Sequence, residues 1–185
     1  MTLQYINDSL QDEVLAIADQ RLGRGYLTVD SFTCSGAIVL VAIEFGKAVG
    51  FVLFHIKEQI DFPVELTKMF GQPHRSVYVK SIAVKEENEQ KGFATALLKM
   101  VINIGMRQNA LCCYGHVWIA GNNGASARIF ESLGFEEVME IADFWYLDSV
   151  KKQFQCPVCG FPCHCKAHLV CRPLVNQGGF NQGMR

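Results

Sequence analysis

The stretch Ser76-Val77-Tyr78-Val79-Lys80-Ser81-Ile82-Ala83-Val84, the loop Lys85-Glu86-Glu87-Asn88-Glu89-Gln90-Lys91, and the run Gly92-Phe93-Ala94-Thr95-Ala96-Leu97-Leu98 that follows decide the reading of this chain. The first nine residues read as a strand and the next seven as a charged loop. From Gly92 the period changes. Phe93, Leu97, Met100, Val101 and Ile104 fall at i, i+4, i+7, i+8 and i+11, which is one face of an amphipathic helix. A helix start leaves backbone N–H groups unpaired and carries the positive end of the dipole, so it binds phosphate. Gly92 has no Cβ to keep a diphosphate away from the backbone. Ala94 is the next smallest choice, Thr95 can add a hydroxyl donor, and Lys91 adds a cation nearby.

The rest of the chain extends this α/β pattern. Asp8 or Ser9 can cap a helix to about Leu22, with Leu10, Val14, Ile17 and Ala18 as its apolar stripe and Gly23 as its stop. Residues Gly23 to Ser35 read as a polar loop. Ala37 to Phe45 and Val49 to Ile56 read as a hairpin turning at Gly46-Lys47. Asp61 to Arg75, with Pro63 and Pro73, reads as a loop with at most one helical turn. Leu111 to Ile119 reads as a strand, Ala125 to Leu133 as a helix stopped by Gly134, and Val138 to Leu147 as a closing strand. Composition shifts at Lys151-Lys152-Gln153. The expected organisation is a domain over 1–150, a cysteine-rich segment over 151–175, and a flexible Gly/Asn/Gln tail over 176–185.

In one order the chain carries Ser81-Ile82-Ala83-Val84, Glu89-Gln90-Lys91-Gly92-Phe93-Ala94, Asn123, and Phe130-Glu131-Ser132-Leu133-Gly134-Phe135. Over about residues 5 to 147 this resembles the GNAT superfamily of acetyl-CoA-dependent N-acyltransferases. Glu89 to Ala94 falls on the family's Arg/Gln-x-x-Gly-x-Gly/Ala phosphate motif. The resemblance implies a mixed, mostly antiparallel sheet flanked by helices. It also implies that the strand ending at Val84 splays from the one near Val117. The pantetheine arm of acetyl-CoA would lie in that gap, against Ile82, Ala83 and Val84, with Asn123 and Phe130 beside it. The implied reaction is direct attack on the thioester by a primary amine of a small molecule or protein.

Two departures concern proton transfer. Phe130 stands where many members have a Tyr that protonates the leaving thiolate. Trp118 stands where a Glu often removes the amine proton. His116, two residues earlier, points to the same strand face and has a suitable reference pKa, so it is the candidate base. Glu89 replaces the motif's Arg or Gln, and its charge is expected to face solvent. These departures keep a second function open: a non-catalytic acyl-CoA-binding module that docks partners through its cysteine segment.

Five of the eight cysteines lie between Cys156 and Cys171. Cys156-Pro157-Val158-Cys159-Gly160 has the spacing of a zinc knuckle, and Cys163 and Cys165 are the chosen closing pair. His168 with Cys171 is the alternate pair and His164 a third candidate. Four protein ligands would close the site to substrate, so a structural Zn2+ is expected. Cys34, Cys112 and Cys113 read as small hydrophobes.

Of 185 residues, 50% are hydrophobic and 19% charged, with a net charge of −1. This suits a globular chain, with neither nucleic acid nor membrane as an expected partner. No apolar run reaches the ~18 residues of a membrane span, and no basic flank precedes an apolar run at the start, so the expected location is cytoplasmic. A homodimer is a candidate assembly.

Overall fold

The computed structural model describes residues 1–58, 62–71, 75–119 and 125–174. Asn123, the tail over 176–185 and parts of two loops lie outside them.

A short strand β1 (Thr2–Tyr5) leads through a 3-10 turn, Asp8–Leu10, into helix α1 (Gln11–Arg21). Val14, Ile17 and Ala18 bury the apolar stripe, and Gly23, at φ +124°, ends it. Strands β2 (Ala37–Glu44) and β3 (Lys47–Lys57) form the expected hairpin. Its two-residue turn is Phe45-Gly46, both at positive φ, the geometry that matches strand twist. Strand β4 (Ser76–Val84) and helix α4 (Phe93–Arg107) follow as read. So do β5 (Cys112–Ile119) and α5 (Ala125–Ser132), with Gly134 at φ +76° past the helix end.

All seven strands form one sheet in the order β1-β2-β3-β4-β5-β7-β6, with β6 at Glu136–Ile141 and β7 at Lys166–Pro173. Among the described residues only β4 and β5 run parallel; every other neighbouring pair is antiparallel. One face packs against α4 and α5 through Val77, Val79, Leu97, Leu98, Val101 and Phe130. A Cβ on Gly105 of α4 would sit 2.7 Å from Leu174 Cδ1 and 2.8 Å from Val77 Cγ2, so the helix lies on the sheet at glycine distance. The opposite face packs against α1, the Tyr26–Phe32 region and the cysteine segment.

Four expectations change. The Gly23–Ser35 loop contains α2 (Val29–Thr33), started by a Thr28–Ser31 capping box, and it buries Tyr26, Leu27 and Phe32. The Asp61–Arg75 loop holds α3 (Val64–Phe70), about two turns long. The closing strand ends at Ile141. After it, Tyr146–Lys152 is helix α6, so the expected boundary at residue 150 falls inside an element. Met100 is exposed, and Leu98 and Ile102 complete the buried face of α4 instead. The cysteine segment is therefore the connection between β6 and β7, and its last part is an interior strand of the sheet.

Candidate active site

Strands β4 and β5 start side by side and then part. They pair only at Val77–Cys113, Tyr78–Tyr114 and Val79–Gly115. Just beyond, Phe54 opposes Val79 and Leu53 opposes Ser81, so Lys80 is an extra residue that bulges from the ladder. A bulge bends its strand and sharpens the local twist. The far ends diverge around a cleft of about 500 Å³.

The cofactor candidates meet at this cleft. Ile82, Ala83 and Val84 form one wall, Glu89, Gln90 and Gly92 to Thr95 the end, and Phe130 the opposite wall. Lys91 is exposed and off the wall. Gln90 and Gly92 both hold positive φ, at 60° and 84°. Among the described residues no side chain caps α4, and its first turn carries no acid. The first intrahelical bond runs from Ala96 N–H to the Gly92 carbonyl, at 2.9 Å. The N–H groups of Phe93, Ala94 and Thr95 thus lack intrahelical acceptors at the cleft wall.

Glu89 does not simply face solvent. It is ion-paired with Arg21 at the end of α1, and both residues line the cleft. Arg21 also lies 3.9 Å from Glu86. Arg128 of α5 is a further cation on the wall. Neither arginine was legible as a site residue, because each lines the cleft from an element distant in sequence from the loop.

A smaller cavity of about 80 Å³ shares Leu22, Ile82, Trp118, Ser126 and Phe130 with the cleft. It continues past the splay point on the α1 side. Its further walls include Tyr26, Lys80, Ser81 and His116, and also Trp145, Phe154, Cys156 and Cys163 from the β6–β7 connection. Trp118 packs in the same cluster as Cys156, Cys163 and Cys165. Phe130 is buried edge-on against Phe135, with centroids 4.9 Å apart.

His116 does reach this cavity, but with a changed titration. Its ring stacks on Phe144 at 4.2 Å and meets Tyr78 edge-on at 5.8 Å, and its buried Nδ1 has no hydrogen-bond partner among the described residues. Burial pushes its pKa down to about 4, so the reference pKa that recommended it as a base is not kept. The folded chain holds this ring neutral down to about pH 4, whereas the unfolded chain protonates it near 6.5. Between those values the unfolded state binds more protons. Stability is therefore full above pH 6.5 and is lost as pH falls toward 4, by up to roughly 3 kcal/mol. His116→Phe keeps the stacking and removes the titration. It is expected to flatten the acid slope of the melting temperature between pH 6.5 and 4.5. A slope equal to wild type would mean that the ring titrates normally.

The cysteine segment gathers as chosen. The sulfurs of Cys156, Cys159, Cys163 and Cys165 all lie within 4.8 Å of one another. Cys159 Sγ is 3.4 Å from Cys165 and 3.7 Å from Cys163, and Cys156 Sγ is 3.7 Å from Cys165. A tetrahedron with ~2.3 Å zinc–sulfur bonds has edges of about 3.8 Å. The four thiols therefore fit a zinc ion, and these spacings are too long for a bonded sulfur pair. The Cys156 and Gly160 backbones exchange two hydrogen bonds, with Gly160 at φ +77°. The Cys163 N–H donates to the buried Ser149 hydroxyl at 2.9 Å, and the His164 N–H donates to Cys159 Sγ at 3.3 Å. The alternates lie elsewhere. The His164 ring pairs with Asp143 and His168 with Glu137 and Glu140, while Cys171 is buried in β7 beside Cys112.

The short β4–β5 pairing above an uncapped helix start is the arrangement that the family resemblance implies. The chain belongs to the acetyltransferase (GNAT) family, whose profile matches residues 8–135. Solved structures share the fold over nearly the whole chain. NAA60 of Arabidopsis thaliana, in complex with a bisubstrate analogue, superposes with a TM-score of 0.69 at 17% identity, covering 93% of this chain and 98% of that one. An N-acetyltransferase of Staphylococcus aureus gives 0.67 at 15% identity, covering 94% and 98%. The ribosomal-protein-alanine N-acetyltransferase of Brucella melitensis gives 0.64 at 15%, covering 94% and 99%. At these identities the likeness is one of fold. No curated protein sequence matches significantly. No described helix is long and apolar enough to cross a membrane.

Proposed function

We propose that this chain transfers an acetyl group from acetyl-CoA to a primary amine, with a structural zinc in its β6–β7 connection. The observation that carries the reading is the uncapped start of α4, facing the cleft between β4 and β5. Acetyl-CoA supplies the activated acyl group. The N–H groups from Gly92 to Thr95 hold its diphosphate, with Arg21 and Arg128 adding charge. The free backbone of Ile82 and Val84 holds the pantetheine arm, and Asn123 is a further contact by resemblance.

The acceptor amine enters by the smaller cavity and attacks directly. His116 accepts a hydrogen bond from the nitrogen and keeps almost no proton at pH 7, so the rate follows deprotonation of the amine itself. Phe130 itself has no hydroxyl to protonate the leaving thiolate. A thiol with a pKa of about 8.5 to 10 needs little help to leave. Four Cys ligands leave zinc no open position, so its role is to order the wall of the acceptor cavity. A reducing, cytoplasmic setting suits these thiolates.

One experiment tests the function. The protein is incubated with acetyl-CoA and a panel of amines, and free thiol is followed. Thiol release that depends on an amine, together with a raised melting temperature in acetyl-CoA, is expected. No thermal shift would sink the reading. A thermal shift without turnover on any amine would favour the non-catalytic module, which the apolar side chains of Trp118 and Phe130 at the two proton-transfer positions keep in view.

A further inference from the structure

The acceptor cavity contains polar groups with no partner of their own. Lys80 is the bulge residue of β4 and lines the cavity half-buried. Among the described residues no carboxylate lies within ion-pair distance of it. Of the acidic groups in its field, Cys34 and Asp148, the carboxylate is already bonded to Lys152 at 2.7 Å. Lys57 and Lys152 add positive charge around it, with Lys152 lying over the Tyr26 ring at 5.4 Å. Two more cavity residues hold buried, unpartnered polar atoms, Ser81 Oγ and His116 Nδ1. Those two atoms are sealed from a water-sized probe, so Lys80, half-buried and without an ion-pair partner, is the polar group that a ligand in the cavity meets, and an ammonium so placed calls for an anion. Burial first, and then the neighbouring Lys152, lower the Lys80 pKa, so the bare ammonium is less favoured here than in water.

We infer that the acceptor is a small amine that carries a carboxylate, recognised by Lys80 with Ser81 beside it. This rests on the proposed function and names the substrate class of the same site. Much of the rest of the wall is aromatic, with Tyr26, Trp118, Trp145 and Phe154, and Ser126, Cys156 and Cys163 also line it. A cavity of about 80 Å³ has room for roughly six water-sized groups. A compact amino acid fills it, with its carboxylate on Lys80 and its nitrogen toward His116.

Valine, valinamide and isobutylamine are titrated into the full-length zinc-loaded protein, with and without saturating CoA, and binding is read by NMR or calorimetry. Valine is expected to bind at least about tenfold tighter than the other two. Lys80→Met keeps the stem, removes the charge, and is expected to erase that preference while CoA affinity stays unchanged. Equal binding of valine and valinamide would overturn the inference. So would a preference that survives in Lys80→Met, or no binding of valine at millimolar concentration. A Glu-Val dipeptide amide forms a further arm. Tighter binding than valine would overturn the inference of a small acceptor, because a dipeptide amide exceeds the cavity that a compact amino acid fills. CoA binding is read separately, so failure of the cofactor assignment is distinct from failure of this one.

Discussion

Cys163→Ser is expected to abolish the proposed zinc binding and to lower the melting temperature by more than about 10 °C. The substitution is nearly isosteric, and the Cys163 backbone would still donate to Ser149. Loss of packing is therefore small, and a large effect reports the metal. Binding free energies for structural zinc run to ~10–16 kcal/mol, and for a chain of this size each kcal/mol moves the midpoint by about 2–4 °C. The effect spreads because the cysteine segment joins β6 to β7, and β7 pairs with both β5 and β6. It also fastens to the end of α1, where the Gln155 N–H donates to the Arg24 carbonyl and Phe154 packs edge-on against Tyr26. An independent appendage would melt alone and leave the main transition in place. Metal content and calorimetry on the full chain decide between the two. Cys34→Ser, at an exposed thiol outside the cluster, is the control and should change neither. Retention of one zinc per chain in Cys163→Ser, or a main transition unmoved by its loss, would refute this account. Truncation after residue 150 gives a related check, since it removes β7 and leaves β5 and β6 without their shared neighbour.

The reason this linkage was hard to read from sequence is specific. Lys166 to Pro173 contains Lys166, His168 and Arg172 among its apolar residues, and Cys171 beside them suggested a ligand rather than a core thiol. Its place in the sheet depends on pairings with residues some 30 to 60 positions earlier, which no local period encodes. Ser76–Val84 and Phe93–Arg107 were legible because their periods and the glycine between them are local. The four sulfurs were legible for the same reason, since a knuckle turn is written in consecutive residues. Arg21 and Trp145 were not, because they reach the site from separate elements, and Lys80 was not, because its place on the wall follows from a bulge set by pairing with β3. The Glu89 charge could be read as a problem from sequence, but its answer, Arg21, comes from the packing of α1 beside the phosphate loop. His116 was placed on the correct strand face. Its lowered pKa follows from Phe144 and Tyr78 around it, which are tertiary neighbours.

Gly92→Val is expected to weaken acetyl-CoA binding by at least about 100-fold and to cost the free protein only a few degrees of melting temperature. Gly92 holds φ +84°, and a Cβ built there meets no atom within 4 Å. In the free chain the cost is therefore backbone strain alone, about 1–3 kcal/mol for a non-glycine residue in this region. With the diphosphate bound, the same Cβ would occupy the approach to the N–H groups of Phe93, Ala94 and Thr95. Each charge-assisted bond lost is worth about 1.5–3 kcal/mol, so two of them suffice for the expected drop. Gly92→Asn separates the two causes, because Asn tolerates left-handed backbone while still presenting a Cβ. It should recover most of the stability of the free protein and little of the affinity. If both variants bind acetyl-CoA as the wild type does, the diphosphate does not sit at the start of α4. If Gly92→Asn recovers both quantities, φ is the only demand on this position and close backbone approach plays no part.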